Sequence, residues 1–207
     1  MRSVLTLIRH GLTDWNVEGR FQGQSDRLLS EEGRRQARRL ARRTSRFGPV
    51  AQIIASPLSR AVETASLAFP DQEVRTDGRL MELDFGAFEG RTLEENVAHP
   101  DWEAWMTDPY LHRTPGGESY RDLRERVVAW YDELPEEEGH VVAVAHSGTI
   151  QMLLAHLLGL EKPRWRKRIY LRHSSVSRVV RRDGVTVIER VNDTRHLDEN
   201  GADPFWE

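Results

Sequence analysis

Apolar positions along the chain alternate between short continuous runs and stretches spaced three and four apart. Val4-Leu5-Thr6-Leu7-Ile8 is a short apolar run of buried-strand character, and it stops at Arg9-His10-Gly11. Ser30 then predicts an N-cap, with Glu31 and Glu32 in the first turn and arginines toward the far end. Ala37, Leu40, Ala41 and Thr44 recur at helical spacing until Phe47-Gly48-Pro49 closes the element. Val50 to Ala55 reads as a second buried strand. Ser56-Pro57 reads as a cap followed by proline at the first helical position, so a helix is expected to start there. Val74 to Thr76 is a short strand candidate. Residues 84–119 show no clean period and are rich in aromatics and turn formers, which predicts a cap excursion containing a short helix. Ser119 with Asp122 resembles a capping box, and Leu123, Val127, Trp130, Tyr131 and Leu134 form an amphipathic stripe behind it. Val141 to Ala145 is a third apolar run, stopping at His146-Ser147-Gly148 before an apolar helix over Ile150 to Leu158. Val176 to Arg182 and Val185 to Val191 flank Asp183-Gly184, a strong hairpin signal. From Asn192 onward no pattern is visible, which predicts a surface tail over 192–207.

Strands alternating with helices predict an α/β fold: a mostly parallel sheet with helices on both faces, a small cap excursion and a C-terminal hairpin. A length of 207 residues fits one domain over 1–207. Hydrophobic residues at 38% and charged residues at 30% exclude disorder and fibrous repeats. No apolar run approaches the roughly 20 residues of a membrane span, and no signal-peptide core is visible. Zero Cys excludes disulfides, iron–sulfur clusters, Cys-type zinc sites and a cysteine nucleophile. The net charge of −3 argues against a nucleic-acid partner. The arginine run from Arg34 to Arg43 flanks the Ala37/Leu40/Ala41 stripe and reads as a solvated helix face rather than a nucleic-acid stripe. The expectation is a cytoplasmic globular protein. The sequence carries no signal for an oligomeric state.

In open α/β sheets, ligands sit outside the carboxyl ends of the strands. The strand exits here carry Arg9-His10-Gly11, Ser56-Pro57-Leu58-Ser59-Arg60 and His146-Ser147-Gly148. Two arginines and two histidines would converge on one edge, a set suited to a dianionic group, since the guanidinium fork matches phosphate oxygens. Helix N-termini after each strand would add N–H donors. A neutral imidazole held among cations can attack phosphorus. Glu82 is the candidate proton donor for the leaving oxygen.

The block Leu7 to Asn16, with Arg9-His10-Gly11 at its centre, resembles the signature of the histidine phosphatase superfamily in its phosphoglycerate-mutase-like branch. The match continues in order through Arg20-Phe21-Gln22-Gly23, Ala55 to Ala61, Glu82 with Phe85-Gly86 and Glu89-Gly90, Gly116 to Ser119, and Ala145 to Gly148. The resemblance implies that His10 is the nucleophile and forms a phosphohistidine. Arg9, Arg60 and His146 would hold phosphoryl oxygens. Glu82 would protonate the leaving group and then take a proton from water. Thr13 and Asn16 would line the phosphate pocket, and Gln22 and Gly23 would touch the rest of the substrate. No metal and no cofactor are expected, and the eight His show neither HxH nor HExxH spacing.

Within that family, phosphoglycerate mutases follow the acid Glu with Arg-His-Tyr and carry a longer, cationic insert. Here Glu82 is followed by Leu83-Asp84-Phe85, and residues 83–117 contain no Lys and only Arg91 and Arg113. The chain therefore resembles the phosphatase members: a metal-independent phosphomonoester hydrolase acting on a small phosphorylated metabolite, with a phosphoglycerate mutase as the alternative. Trp15, Phe85, Phe88, Trp102 and Trp105 suggest an apolar wall beside the leaving group. A serine hydrolase using Ser147 lacks the Gly-x-Ser-x-Gly elbow. A non-catalytic binding module would not need His10, Arg9, Arg60, Glu82 and His146 together. His112, His140, His156, His173 and His196 show no partner pattern and receive no role.

Overall fold

The computed structural model describes residues 2–135, 139–160 and 169–197. Among the described residues six strands, β1 (Arg2–Arg9), β2 (Gln52–Ala55), β3 (Val74–Thr76), β4 (Gly139–Ala145), β5 (Val176–Arg182) and β6 (Val185–Asp193), form one sheet in the order β3-β2-β4-β1-β5-β6. The pairs among β1 to β4 are parallel, whereas β5 runs antiparallel to both β1 and β6. The register places Arg9 opposite Ala145 and Ala55 opposite Val144, so β1, β2 and β4 end level with one another. Because β5 is antiparallel and pairs Ile8 with Val176, its first residues enter at that same edge.

Seven helices accompany the sheet among the described residues: α1 (Asp14–Val17), α2 (Glu31–Thr44), α3 (Ser59–Ala68), α4 (Leu93–Val97), α5 (Trp102–Thr107), α6 (Tyr120–Asp132) and α7 (Ser147–Leu157). Ser30 caps α2 by accepting from the Gly33 N–H, and Ala37 and Leu40 turn inward while its arginines stay at the surface. Ser119 and Asp122 close the expected reciprocal box on α6. On one side of the sheet Ile8, Leu40, Ile53, Ala61, Ala65, Val142 and Val144 form a core with α2 and α3. On the other, Leu5, Leu7, Val141 and Ala143 pack with α6, α7 and the cap excursion. Both faces of β4 are therefore covered, and full burial of Val142 and Val144 contributes about 1.5–3 kcal/mol each. The Asp183-Gly184 turn has φ of 52° and 78°, the left-handed pair that a two-residue hairpin of this hand requires.

Four local readings change. The helix after β2 does not begin at Pro57; α3 starts at Ser59, and its N-cap Leu58 offers no side-chain bond. Ser56 is buried beneath the strand end, and the cap comes from Asp26, whose Oδ1 accepts the Ser59 N–H at 2.7 Å and Oδ2 the Ser59 hydroxyl at 2.6 Å. The helix after β4 starts at Ser147, three residues ahead of Ile150, with His146 as N-cap. The cap excursion holds two short helices, α4 and α5, and inside it the Phe88 ring packs edge to face with Trp102 while Trp105 lies tilted against both. Lastly, β6 runs on to Asp193, and a 3-10 turn at Arg195–Leu197 packs against α2 with Leu197 buried, where the surface tail was expected to begin. Asp193 binds this corner by accepting from Arg43, Arg190 and Arg195. The rest of that tail, 198–207, lies outside the described residues. Among the described residues no helix is long and apolar enough to cross a membrane.

Candidate active site

The level strand ends set the geometry. His10 follows β1 directly, and its N–H donates to Ala145 O at 2.9 Å while its carbonyl accepts from Ser174 N at 3.1 Å. The ring Nδ1 lies 2.7 Å from Gly11 O. A carbonyl only accepts, so the proton sits on Nδ1 and Nε2 keeps its lone pair. His10 is 4% exposed, and burial first, then Arg60 and Arg9, hold its pKa well below the usual imidazole value. Gly11 has no room for a side chain, since a Cβ there would stand 2.7 Å from Gly33 O.

Arg60, in the first turn of α3, is fully buried. Its Nη1 and Nη2 donate to Ser25 O at 2.9 Å and Gly23 O at 2.6 Å, and its Nε donates to His146 Nδ1 at 3.3 Å. Burial pushes the guanidinium down to about 10 against the support of Glu82, Asp26 and Glu89, which leaves it charged at neutral pH. His146 accepts on Nδ1, so its proton is on Nε2, a buried donor with no hydrogen-bond partner. The His146 ring centre is 5.1 Å from that of His10. Burial followed by Arg60 lowers the His146 pKa well below the imidazole value.

Arg9 is tied to the segment entering β5. Its Nη1 donates to Leu171 O at 2.6 Å and its Nη2 to His173 Nε2 at 2.7 Å, and its N–H donates to Ser175 O. His173 received no role from sequence, yet its ring lies 5.8 Å from His10 and it is 9% exposed. A guanidinium cannot accept, so His173 is neutral with its proton on Nδ1, and burial and then Arg9 lower its pKa well below the usual value. In the sequence the run Arg172-His173-Ser174-Ser175 stands directly before the first hairpin strand and carries no motif of its own. Its usable signal is the hairpin itself, since an antiparallel strand beside β1 must begin where β1 ends. Ser174 also sits at φ 56° with its hydroxyl buried and unbonded.

Glu82 lies on the loop after a 3-10 turn at Gly78–Leu80. Its Oε1 accepts from Leu83 N at 2.9 Å and its Oε2 from Gly148 N at 3.0 Å, in the first turn of α7. The helix N-terminus favours an acidic group there. A Cβ on Gly148 would fall well inside contact with Glu82 Oε1 and 3.2 Å from Cδ.

Thr13, Asn16, Gln22 and Gly23 form one connected scaffold beside the site. Thr13 caps α1 and donates to Asn16 Oδ1 at 2.9 Å, and Gln22 Nε2 donates to Thr13 Oγ1 at 2.6 Å. Asn16 is therefore engaged in a capping box, while Gln22 Oε1 is buried without a partner. Gly23 has φ 51°, its carbonyl accepts Arg60, and Glu89 occupies the space a Cβ would need. Glu89 also accepts from Gln24 N and Ser25 N, so it holds the loop whose carbonyls orient Arg60. The expected apolar wall divides: Phe88, Trp102 and Trp105 belong to the core, and Trp15 and Phe85 are half-buried. Arg27 stacks 3.9 Å over the Trp15 ring. Arg91 is exposed, and Arg113 pairs with Asp122 at 2.8 Å. Among the described residues no group of three or more His, Asp or Glu is placed to share a metal ion.

Arg9 and Arg60 and the rings of His146 and His173 thus lie about the buried His10 ring, and the Glu82 carboxylate sits at the N-terminus of α7, the helix that His146 caps. Such a set can hold a dianion, attack it and move a proton. A family model described as the histidine phosphatase superfamily (branch 1) matches residues 5–194. A curated relative, the probable phosphoglycerate mutase GpmB of Salmonella paratyphi B, is 34% identical over 210 residues, covering 95% of this chain and 96% of its own. YhfR of Bacillus stearothermophilus superposes with a TM-score of 0.86 at 29% identity, covering 95% of this chain and all of that one. A phosphoserine phosphatase mutant from Entamoeba histolytica in complex with phosphoserine gives 0.84 at 29% identity, covering 94% of this chain and 99% of its own. A mycobacterial glucosyl-3-phosphoglycerate phosphatase gives 0.76 at 32% identity, covering 91% of this chain and 98% of its own.

Proposed function

We propose that this chain, which belongs to the histidine phosphatase superfamily, is a metal-independent phosphomonoesterase acting through a phosphohistidine on small phosphorylated metabolites. The observation that carries the reading is His10 itself: buried, proton fixed on Nδ1 by Gly11 O, and set among Arg9, Arg60 and His146. In the first step Nε2 attacks phosphorus and the bond to the ester oxygen breaks. Glu82 gives that oxygen a proton and becomes a carboxylate. In the second step the carboxylate takes a proton from water as its oxygen attacks phosphorus. The P–N bond breaks, and free imidazole and inorganic phosphate result. Arg9, Arg60 and the unbonded Nε2–H of His146 hold the equatorial oxygens, whose charge they match in both steps. The solved relatives named for phosphoserine and glucosyl-3-phosphoglycerate support a small phosphorylated substrate.

Rapid quench with labelled p-nitrophenyl phosphate tests the intermediate. A phosphoramidate survives base and not acid, so label stable in acid would overturn the assignment to His10. Glu82→Gln should slow turnover of alkyl phosphates by about 10²–10⁴-fold, the usual worth of general acid catalysis. The loss should shrink for p-nitrophenyl phosphate, whose leaving group needs little protonation.

A second reading rests on the curated relative named as a probable phosphoglycerate mutase. A mutase must keep its dephosphorylated product in place with further cations. Between Glu82 and Glu118 the candidates are Arg91, at the surface, and Arg113, already paired with Asp122. This favours product departure and entry of water. If isomerisation of 3-phosphoglycerate outruns phosphate release with bisphosphoglycerate primer present, the mutase reading replaces the phosphatase one.

A further inference from the structure

We infer that Arg126 is the positioning residue of Glu82, acting from α6 through the backbone of the loop that carries it; the inference rests on the reading of Glu82 as proton donor. Residues 81–85 belong to neither helix nor strand, so that loop needs partners from elsewhere for its carbonyls. Arg126 supplies them. Its Nη1 donates to Arg79 O at 2.8 Å and Met81 O at 2.7 Å, and its Nη2 donates to Glu82 O at 2.8 Å. The guanidinium is held in turn by Glu118, with Nε to Oε1 at 3.0 Å and Nη2 to Oε2 at 2.9 Å. Glu118 Oε2 also accepts from Asp84 N at 3.1 Å, so the same pair grips the loop on both sides of Glu82.

The two ends of Glu82 are thus fixed by different helices. Its backbone is fixed from α6 by Arg126, and its carboxylate from α7 by the Gly148 N–H. Thr149 reinforces the second attachment by donating its hydroxyl to Met81 O at 2.8 Å. The α6 end is a firm base, since the Ser119/Asp122 box closes that helix immediately after Glu118. Only a planar fork of five N–H groups can reach three carbonyls and a carboxylate at once; a lysine ammonium offers three donors from one point. Losing this grip would let the carboxylate drift from the leaving oxygen, and a displacement of about 1 Å can cost about 10²-fold.

An ion pair that merely stabilises the fold would slow all substrates alike, so the test compares leaving groups. The variants are Arg126→Met, Arg126→Lys and Glu118→Gln, each checked by thermal unfolding, with kcat/KM measured on an alkyl phosphate and on p-nitrophenyl phosphate. Arg126→Met should lose about 30–100-fold on the alkyl phosphate and only a few-fold on p-nitrophenyl phosphate, with Arg126→Lys between it and wild type. In a Glu82→Gln background, Arg126→Met should cost the alkyl phosphate little more, because the two act through one proton transfer. Equal losses on both substrates, or full additivity with Glu82→Gln, overturn the inference. If Arg126→Met does not fold, Arg126→Lys and Glu118→Gln carry the same comparison. Glu82→Gln alone separates the two levels. A flat profile there removes Glu82 as the acid, whereas a sloped one beside flat Arg126 variants overturns only the positioning role.

Discussion

Replacing Gly148 by alanine adds one methyl group at the point where Glu82 meets α7. The added Cβ would stand 3.2 Å from Glu82 Cδ, nearer still to Oε1, and in ordinary contact at 3.4 Å with Leu123 Cδ2. The conflict is therefore with the far end of a flexible side chain, while the rest of the space accepts the methyl. Restoring normal contact requires the carboxylate to retreat by about 1 Å, which breaks its bond to the Gly148 N–H and misplaces the proton by a distance that can cost about 10²-fold. The helix itself gains, because alanine in a helix is better than glycine by about 0.5–1 kcal/mol. For a chain of this size that is a rise in Tm of about 1–4 °C, or no change if the side-chain shift offsets it. Gly148→Ala should thus be as stable as wild type yet about 10²-fold slower on alkyl phosphates, with a loss below tenfold on p-nitrophenyl phosphate. Steady-state kcat/KM on both substrates, with Tm from calorimetry, checks it. Equal loss on the two esters at unchanged Tm would mean that the Glu82 carboxylate does not deliver the leaving-group proton. No loss on either would mean that its attachment to α7 is irrelevant to turnover.

Other outcomes follow from the same contacts. His173→Leu removes the acceptor of Arg9 Nη2, and inhibition by orthovanadate should weaken roughly tenfold, with His173→Gln restoring part of it. Unchanged inhibition in His173→Leu would refute a role in orienting Arg9. Burial and the two arginines keep His10 neutral well below pH 6.5. Lowering the pH through that value should therefore leave kcat/KM level once the substrate's own ionisation is corrected, and an enzyme limb centred near 6.5 would contradict this. The Asp193 carboxyl is held far below its usual range by the arginine side chains around it, despite opposing burial. Its contribution is fully present above the unfolded value near 4 and is lost as pH falls below that. Urea midpoints of wild type and Asp193→Asn should accordingly differ by a constant amount above about pH 5 and draw progressively together as pH is lowered from there to 2, and parallel curves over that range would refute it.

What the linear sequence determined about this protein is what neighbouring residues can settle among themselves. The period of α2 with its Ser30 cap, the Ser119/Asp122 box, the unbroken apolar run of β4 and the Asp183-Gly184 turn are all local, and each formed as its residues dictate. The level exits of β1, β2 and β4 follow from the parallel pairing, so Arg9, His10, Arg60 and His146 were legible as one cluster from strand ends alone. Tertiary structure decided what depends on partners far along the chain. The start of α3 is set by Asp26, 33 residues upstream, which no inspection of Ser56-Pro57 reveals. His173 joins Arg9 across 164 residues because β5 runs antiparallel and must begin where β1 ends. Glu82 sits in a loop with no period of its own, and its position comes from Gly148 and Arg126, 66 and 44 residues away. Short-range periodicity reports which side of an element is buried; it carries no information about which distant donor will satisfy a loop's carbonyls or carboxylate, and here those donors complete the site.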